Sequence, residues 1–447
     1  MDAELGKILA SYSLELAKGL LSETGSAVAK KRFAASNVLK VGINKYLDRI
    51  YASCSKTKTL LYVDKAIKIS DIYVNGTLRS GRKQISDDQL LHEVIEKNGK
   101  VVISGTAGSG KSMMMKHFVL EVIRKQSKKL PIFFELRSLN IRKGGSLLDS
   151  IYHSFSRDVK NYPREKFDDA LRRGMFIFIF DGFDEVDEDL IESVEVSLRE
   201  LYKKNDKNTF IISSRPDPKL NSSIGLDIYH VQPLSKRQVI SLIDKVNYDP
   251  DQKEEFKRQL EASLYDDHKD FASSPLLVTM MLLTFHHFSI IPEKIHIFYA
   301  QVFEVLYSRH DVSKEGHYVR DFKTSLPMDD FSSILEALSS LSYIKGDYDF
   351  SPTSALSYSE KAINYVSLEV DKRDFVSDML KCVCLFVKDG GKIKLTHRSF
   401  QEYFTALFIG KMTDSGFEKF AFTIMKRIAN DNVLHLLFAM HLSLIHI

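Results

Sequence analysis

The chain has few of the residues that build secreted or metal-binding scaffolds. Its 447 residues include no tryptophan and three cysteines, and Cys382 and Cys384 are separated by a single residue. A pair with this spacing, without a second pair, supplies neither a disulfide framework nor the ligands of a structural zinc site. We therefore interpret both cysteines as core or strand positions and expect a cytoplasmic protein, in a reducing compartment.

Long apolar runs and a strong charge of one sign are also missing. The longest apolar runs, 175–180 and 433–447, are shorter than the roughly 20 residues of a membrane-spanning helix, and the N-terminus lacks the pattern of a signal peptide. The 63 Lys and Arg residues are nearly balanced by 59 Asp and Glu residues. This balance argues against nucleic acid or an anionic membrane as the main partner.

A glycine-rich stretch carries the clearest chemistry. Residues 105–112 match the pattern Gly, four residues, Gly-Lys-Ser, which forms a phosphate-binding loop between a strand and a helix. The β-branched run 100–104 before it predicts a buried strand, and 113–125 after it, without Gly or Pro, predicts a helix. The residues expected to surround the phosphates are Gly105, Thr106, Ala107, Gly108, Ser109, Gly110, Lys111, Ser112 and Met113.

The residue types of this loop suit a nucleotide and Mg²⁺. Glycine lets the backbone approach a phosphate closely, and the N–H groups at the start of the helix point at the anion. We expect Lys111 to reach the β- and γ-phosphates and Ser112 to ligate Mg²⁺. Lys116 and His117, further along the helix, are interpreted as scaffold residues.

Strand and helix patterns alternate after the loop. The predicted strands are 130–136, 175–180, 209–214 and 228–231, and the predicted helices are 145–155, 164–173 and 188–203. The run 175–180 is apolar throughout, which is typical of parallel strands that are buried on both faces. The pattern predicts an α/β fold, a P-loop NTPase core with a parallel, doubly wound sheet.

Charged residues at the ends of these strands complete the candidate site, because open α/β sheets bind ligands at the carboxyl ends of their strands. Asp181 follows the most apolar strand and can meet Mg²⁺ directly or through water. Either Asp184 or Glu185 can polarise the attacking water or hold the outer shell of the metal. Arg215 ends the next strand and can contact the γ-phosphate.

The segments before the loop have the pattern of a small helical module and a connection. Their predicted elements are helices 2–22 and 27–52, strands 60–63 and 69–74 with a turn at Asn75-Gly76, and a helix at 88–97 capped by Ser86. The helical module is poor in His and paired carboxylates. We therefore expect it to serve docking or packing rather than catalysis.

The chain beyond residue 233 becomes helical. The predicted helices are 236–246 (capped by Ser235), 252–263, 275–287, 293–309, 330–342, 357–369, 373–382 and 399–411. The strands 384–388 and 392–396 flank Asp389-Gly390-Gly391, a strong hairpin signal. Three helices followed by a hairpin predict a winged-helix fold.

Seven segments occur in an order that resembles one family. They are GTAGSGKS, LPIFFELR, FIFIFDGFDE, IISSRPDP, VQPLSKRQV, SSPLLVTMM and LTHRSFQEYF, within roughly residues 58–410. In this order the chain is similar to the NACHT family of signal-transduction NTPases, which are related to animal NOD-like receptors and whose bacterial members resemble anti-phage defence proteins. The fold that this implies is AAA+/STAND-like, with a small helical domain before the NTPase core and a helical domain and winged helix after it.

The resemblance implies a role for each matching residue. Lys111 matches the phosphate lysine, and Ser112 and Asp181 match the residues that hold Mg²⁺. The other matches are Asp184 and Glu185 with the acidic pair needed for hydrolysis, Arg215 with the sensor arginine, Pro275 with the proline that packs near the base, and His397 with the winged-helix histidine that touches the β-phosphate in the resting state.

The resemblance favours a regulatory switch over an enzyme built for rapid turnover. With ADP bound, the winged helix and His397 are expected to hold a closed monomer, and ATP is expected to stabilise an open form that self-associates. Slow hydrolysis would reset the switch. The implied ligands are ATP or ADP with Mg²⁺, although the sequence does not distinguish ATP from GTP, and the implied trigger is a phage component.

Two alternatives stay open from the residues alone. One is a constitutive P-loop enzyme, such as a kinase or a nucleic-acid motor, which uses the nucleotide as fuel; the chain shows no basic groove or substrate-binding insertion in its favour. The other is a scaffold that binds nucleotide without hydrolysing it, and the Asp184-Glu185 pair argues against that.

The expected division has six parts. They are an N-terminal helical domain (1–57), a linker with a short hairpin and helix (58–98), the NTPase core (99–232), a helical domain (233–325), a winged helix (326–411) and the start of a C-terminal helical region (412–447). Residues 432–440 begin an apolar helix without a polar cap, and 442–447 resemble translated sequencing-adapter read-through. We expect a C-terminal truncation that removes a sensor domain.

Overall fold

The structure is a computed structural model of the chain. It describes residues 3–441 apart from 22–28, 60, 107, 142–145, 161, 187, 217–225, 286–291, 293, 313–321, 390–391, 413–419, 422–423, 426 and 428–430. The chain divides into two compact units. The first contains residues 1–57, 68–106 and 110–233, and the second contains residues 58–67, 107–109 and 234–447.

The helices and strands follow one another in an order that is all helical at first, then mixed, then mainly helical. The strands are β1 (Lys56–Thr59), β2 (Tyr62–Lys68), β3 (Thr77–Ser80), β4 (Lys83–Ser86), β5 (Lys100–Ser104), β6 (Leu130–Glu135), β7 (Phe176–Asp181), β8 (Thr209–Ser214), β9 (Asp227–Val231), β10 (Asp349–Phe350), β11 (Phe386–Asp389) and β12 (Lys392–Leu395).

The α-helices of the first unit are α1 (Ala3–Leu20), α2 (Ala29–Ser55), α3 (Ile69–Ile72), α4 (Asp87–Glu96), α5 (Lys111–Arg124), α6 (Leu147–Ser156), α7 (Arg164–Arg173) and α8 (Glu188–Lys204). Those of the second unit are α9 (Lys236–Lys245), α10 (Pro250–Gln259), α11 (Tyr265–Asp267), α12 (Lys269–Ala272), α13 (Pro275–Thr284), α14 (Ile295–Val312), α15 (Met328–Lys345), α16 (Pro352–Val366), α17 (Lys372–Lys381), α18 (Arg398–Gly410) and α19 (Val433–His441). No helix among the described residues is long and apolar enough to cross a bilayer.

A seven-stranded sheet forms the centre of the first unit. Its order is β4-β3-β9-β5-β8-β7-β6, in which β9, β5, β8, β7 and β6 are parallel and the β3–β4 hairpin joins antiparallel at the edge. This confirms the predicted α/β P-loop NTPase core with a mainly parallel sheet, flanked by helical regions. Because β5 lies between β8 and β9, the loop that follows β5 emerges near the middle of the sheet.

The hydrophobic core of the first unit is densest around β7. All six residues of this strand are buried, and the ring of Phe178 stacks on Phe210 of the neighbouring β8 with a centroid distance of 5.0 Å. A strand that is buried on both faces packs apolar side chains on each side of the sheet, which explains its continuous apolar run.

The N-terminal helices α1 and α2 pack into the same core as the sheet. The hydroxyl of Tyr12 donates to the carbonyl of Lys129 at 2.6 Å, and that of Tyr46 donates to the carbonyl of Pro131 at 3.1 Å. The guanidinium of Arg173 donates to the carbonyl of Gly19 at 2.6 Å. Buried hydroxyls that are paired with main-chain acceptors fix the helices against this unit, so their role here is packing.

The strand predicted over 69–74 is wrong. Residues Ile69–Ile72 form the short helix α3, in which both isoleucines are buried on one side of a single turn. The hairpin lies further on, and its turn contains Gly81 with a φ of +56°. The expected cap is confirmed, since Ser86 and Gln89 form a reciprocal capping box at the start of α4.

The second unit combines helices with a small sheet. Its three strands have the antiparallel order β10-β12-β11, and the β11–β12 pairing confirms the predicted hairpin, whose Gly390 and Gly391 lie outside the described residues. The elements follow one another in the order α15, β10, α16, α17, β11, β12, and the winged helix stays a prediction. Helix α16 starts five residues before the prediction, because Ser351 caps it and Pro352 occupies its first turn.

Candidate nucleotide site

The phosphate-loop motif lies between β5 and α5, as its pattern requires. The N–H of Gly105 donates to the carbonyl of Ser214 at 3.1 Å, which ties the start of the loop to β8. Gly110 has a φ of +88° and directly precedes Lys111, the first residue of α5. This left-handed conformation favours glycine and turns the chain into the helix. Ala107 lies outside the described residues.

Residues 108–109 belong to the second compact unit. Within that unit, the N–H of Leu276 lies 3.4 Å from the carbonyl oxygen of Gly108, and Pro275 occupies the first position of α13. A Cβ at Gly108 would lie only 2.9 Å from the Cβ of Leu276, and the φ of Gly108 is +74°. Both facts require glycine at this position.

Lys111 folds back over its own loop. Its ammonium donates to the carbonyl of Gly105 at 2.5 Å and to that of Thr106 at 2.9 Å. Burial lowers the pKa of Lys111, and the nearby carboxylate of Asp184 acts in the opposite direction. The ammonium is therefore held by neutral carbonyl groups within the loop, a setting in which an anionic phosphate is a stronger partner.

Asp181, at the end of β7, is buried beside two hydroxyl groups. Ser213 donates to it at 2.5 Å and in turn accepts from the N–H of Gly182 at 2.8 Å. Burial raises the pKa of Asp181, whereas the hydrogen bonds from Ser213 and Ser112 lower it. The carboxylate of Asp181 and the hydroxyl of Ser112 thus lie side by side, and two hard oxygen ligands of this kind suit Mg²⁺ that keeps its other positions for phosphate and water.

Asp184 forms a buried ion pair with Arg215. Its Oδ2 lies 3.1 Å from Nε of Arg215, and its Oδ1 accepts from the backbone N–H of Arg215, also at 3.1 Å. The two side chains are 6% and 8% exposed. Strand β8 lies between β5 and β7, so the sheet order places Arg215 between the phosphate loop and the acidic turn.

Glu185 is paired with an arginine that the sequence reasoning did not consider. Arg137 follows β6 and places its guanidinium 3.3 Å from Glu185 and 2.8 Å from Glu135. Glu135 is the register partner of Asp181 in the adjacent strand. Gly182 has a φ of +76°, and a Cβ there would lie 3.1 Å from the Glu185 carboxyl carbon, so the glutamate folds back over the glycine.

His397, in the second unit, caps helix α18. Its Nδ1 accepts from the backbone N–H of Ser399 at 3.1 Å and lies 2.7 Å from the Ser399 hydroxyl. An Nδ1 that accepts a hydrogen bond carries no proton, so the neutral ring has its proton on Nε2. The cap therefore fixes Nε2 as the hydrogen-bond donor of this histidine.

The structure brings the predicted residues of the first unit together. Electrostatic interactions and hydrogen bonds join them at the carboxyl edge of the sheet; they are Lys111, Ser112, Asp181, Asp184, Glu185 and Arg215. Pro275 and His397 belong to the second unit. Sequence reasoning missed Ser213, Glu135 and Arg137, although the rule applied to the other strand ends would have pointed to the last two.

Comparisons with known proteins support the nucleotide-binding fold. Residues 100–249 match the model of the NACHT domain, which is less than half of the chain. A search of curated proteins finds no match.

Three solved structures are similar to this chain at low identity and low TM-score. A signal transduction ATPase with numerous domains (STAND) protein with a tetratricopeptide repeat sensor, from Pyrococcus horikoshii, is 15% identical, with a TM-score of 0.39, over 84% of this chain and 46% of that one. This chain therefore spans less than half of that protein's length. Cdc6p from Pyrobaculum aerophilum is 11% identical, with a TM-score of 0.31, over 78% of this chain and 99% of that one.

The Orc1 protein of Aeropyrum pernix, solved in complex with DNA, is 14% identical, with a TM-score of 0.32, over 73% of this chain and 92% of that one. At these scores the structures carry no argument about the fold or the activity of this chain. The family match and the fold agree on one segment: residues 100–249 match the NACHT domain and form the core of a P-loop NTPase fold.

Proposed function

We propose that the protein is a nucleotide-dependent switch that binds ATP or ADP with Mg²⁺, hydrolyses ATP slowly and self-associates when activated. The observation that carries this proposal is the buried pair of Arg215 and Asp184. A buried arginine that is held by a carboxylate at the edge of a phosphate loop has two competing anions, the carboxylate and an incoming γ-phosphate.

This competition supplies the differential affinity that any switch needs. A ligand shifts a conformational equilibrium only by the difference between its affinities for the two states. ADP lacks the γ-phosphate and leaves the Arg215–Asp184 pair intact, whereas ATP offers Arg215 a second partner. The two nucleotides therefore favour different arrangements of the turn that contains Asp184 and Glu185.

The remaining residues have separable roles. The N–H groups of 105–113 and the Lys111 ammonium hold the phosphates, and Ser112 with Asp181 would hold Mg²⁺. When bound, the metal supplies positive charge that stabilises the transferring phosphoryl group. A carboxylate of the Asp184-Glu185 turn orients and deprotonates the attacking water. Both carboxylates are paired with arginines, and this supports slow rather than rapid turnover.

In the resting state, Pro275 packs near the base and the winged helix closes over the bound ADP. The donor for the β-phosphate is Nε2 of His397, and the tautomer fixed by Ser399 supports this role because it leaves the proton on Nε2. Release of this contact would open the molecule for self-association.

We further propose that the switch acts in bacterial antiviral immunity, in the cytoplasm, with a phage component as its trigger. This part rests on the family resemblance of the seven ordered motifs. In this proposal the six sequence domains keep their expected boundaries, with the nucleotide held by 99–232, the helical domain 233–325 and the winged helix 326–411. Infection of bacteria that express the chain, with Lys111→Ala as control, tests it by phage plating; equal plating on both strains contradicts the immune role.

The direct test is to purify the protein gently, identify the nucleotide that co-purifies, and run size-exclusion chromatography in ADP and in ATP. We expect bound ADP, a monomer in ADP and a larger species in ATP. The absence of any bound or bindable nucleotide would contradict the proposal. Rapid basal turnover, or turnover stimulated by DNA, would instead favour a constitutive P-loop enzyme that uses the nucleotide as fuel.

A further inference from the structure

We propose that Arg137 is a positioning residue of the nucleotide site: its guanidinium joins Glu135 at the end of β6 to Glu185 in the turn after β7, and so holds Glu185 oriented for hydrolysis. This inference rests on the proposed function of the site and extends it to a residue outside the phosphate-loop and acidic-turn motifs.

The geometry places Arg137 as a bridge. Its Nη2 lies 2.8 Å from Oε2 of Glu135, and its Nη1 lies 3.3 Å from Oε2 of Glu185. The two carboxylates come from different parts of the chain, one from the end of β6 and the other from the turn after β7. A planar guanidinium with separate donors can connect two such groups, whereas a lysine ammonium offers a single point charge.

A 3₁₀ turn of the backbone lies on each side of this bridge. Residues Leu136–Ile141 form a 3₁₀ turn directly after β6, and the Ser138 hydroxyl donates to the carbonyl of Glu135 at 2.7 Å. Residues Phe183–Glu185 form a second 3₁₀ turn, which begins after the left-handed Gly182. The side chains of Arg137, Glu135 and Glu185 are 18%, 34% and 25% exposed, so the bridge is partly buried and is screened less by salt than a fully exposed ion pair.

The charges explain why a cation is needed here. Glu135 and Asp181 are register partners in neighbouring parallel strands, and Glu185 follows Asp181 by four residues. Three carboxylates at one edge of a sheet repel one another. A guanidinium that is paired with two of them offsets this repulsion and fixes the position of the Glu185 carboxylate.

Two variants separate the charge of Arg137 from its shape. Arg137→Ala removes both, and Arg137→Lys keeps the charge without the two-carboxylate bridge. The matched control is Arg164→Ala, which removes an arginine that also joins two carboxylates, Asp149 at 2.5 Å and Asp168 at 2.9 Å, in the same unit.

The first measurement is steady-state hydrolysis of ATP with Mg²⁺ at a single pH. We expect Arg137→Ala and Arg137→Lys each to lower kcat by about tenfold, a fraction of what a general base contributes, with little change in KM. The reason is that Glu185 loses its orientation while the phosphate-binding residues stay in place. Arg164→Ala should match wild type in both constants.

The second measurement is the unfolding free energy of the nucleotide-free protein in a double-mutant cycle. Arg137→Ala and Glu185→Gln should be non-additive because both remove the same contact, whereas Arg164→Ala and Glu185→Gln should be additive. If the protein hydrolyses ATP and both Arg137 variants keep the wild-type kcat, or if the cycle shows no coupling, the inference is wrong. If wild type binds no nucleotide, the proposed function fails, and the coupling alone decides whether Arg137 holds Glu185.

Discussion

Each compact unit contains a cluster of buried charge in which an arginine pairs with a carboxylate, but the surroundings of the two clusters differ. In the first unit Arg215 pairs with Asp184 at the carboxyl edge of the sheet. In the second unit Arg398 pairs with Glu402 one turn along helix α18, with Nε 3.3 Å from Oε1 and the two side chains 9% and 1% exposed.

The cluster of the second unit is built from contacts between secondary-structure elements. The guanidinium of Arg398 lies over the ring of Tyr348, 4.2 Å from its centroid, and Asn432 donates to Glu402 at 3.3 Å. Asp431 accepts from the hydroxyl of Tyr343 at 2.7 Å and from the N–H of Val433 at 3.1 Å, at the start of α19. Burial raises the pKa of Asp431.

The two clusters differ in the groups that surround their charges. Those of the second unit are enclosed by aromatic rings and helix ends, and they tie α18 to the segment before α19. Those of the first unit border on a glycine loop whose N–H groups form an anion site. Buried ion pairs contribute little net stability in either setting. We infer that the first cluster is retained because its partners can exchange, and the second because it fixes the packing of helices.

The variant with the largest expected effect on nucleotide binding removes the loop cation. Lys111→Ala should weaken ATP and ADP binding by about 100-fold or more, because charge-assisted hydrogen bonds to phosphate contribute roughly 1.5–3 kcal/mol each. Titration with a fluorescent nucleotide measures the affinity. Lys116→Ala, one turn further along α5, is the control and should bind as wild type does. Normal ATP binding by Lys111→Ala would show that the site is wrongly assigned.

A pair of isosteric variants compares the two clusters directly. Asp184→Asn and Glu402→Gln each leave a buried arginine without its carboxylate, which costs roughly 3–5 kcal/mol of unfolding free energy. ATP should restore the Tm of Asp184→Asn more than ADP does, because its γ-phosphate replaces the lost anion. For Glu402→Gln, the ratio of the Tm increases given by ATP and by ADP should be the same as for wild type. Equal restoration of Asp184→Asn by both nucleotides would contradict partner exchange.

Variants of His397 and of its partner Ser399 should accelerate ADP release to different extents. His397→Ala should accelerate ADP release by about tenfold, through the loss of a charge-assisted hydrogen bond to phosphate. Ser399→Ala keeps the ring and the backbone donor but loses the hydroxyl, so we expect a change of about threefold, within the range of a single neutral hydrogen bond. Stopped-flow displacement of labelled ADP measures both rates. An unchanged rate of ADP release in His397→Ala would rule out the proposed contact between His397 and the β-phosphate.

The smallest effect on nucleotide binding should come from a variant in the packing of the N-terminal helices. Tyr12→Phe removes the buried hydroxyl that donates to the Lys129 carbonyl and should lower the free energy of unfolding by about 1–2 kcal/mol, because that carbonyl is left unpaired. Chemical denaturation measures the change, and nucleotide affinity should stay at the wild-type value. Tyr365→Phe, at a side chain that is 62% exposed, is the control and should be neutral.

Local patterns were enough for most elements but not for all. The apolar run 175–180, the caps Ser86 and Ser235 and the β11–β12 hairpin signal identified their elements because each depends on residues within a few positions. The strand predicted over 69–74 was wrong because isoleucines are compatible with a strand as well as with one helical turn. In the structure, Ile69 and Ile72 are both buried on one side of a helical turn.

By itself, the sequence determined the phosphate loop, the alternation of strands and helices, and the residue types at the strand ends, because these follow from local conformation and side-chain chemistry. Only the tertiary structure decided which strands are neighbours, and hence that Glu135 lies beside Asp181 and that one arginine, Arg137, serves two carboxylates. The reason is physical: strand order is set by how the whole sheet buries its apolar faces, and no stretch of the chain contains that information alone.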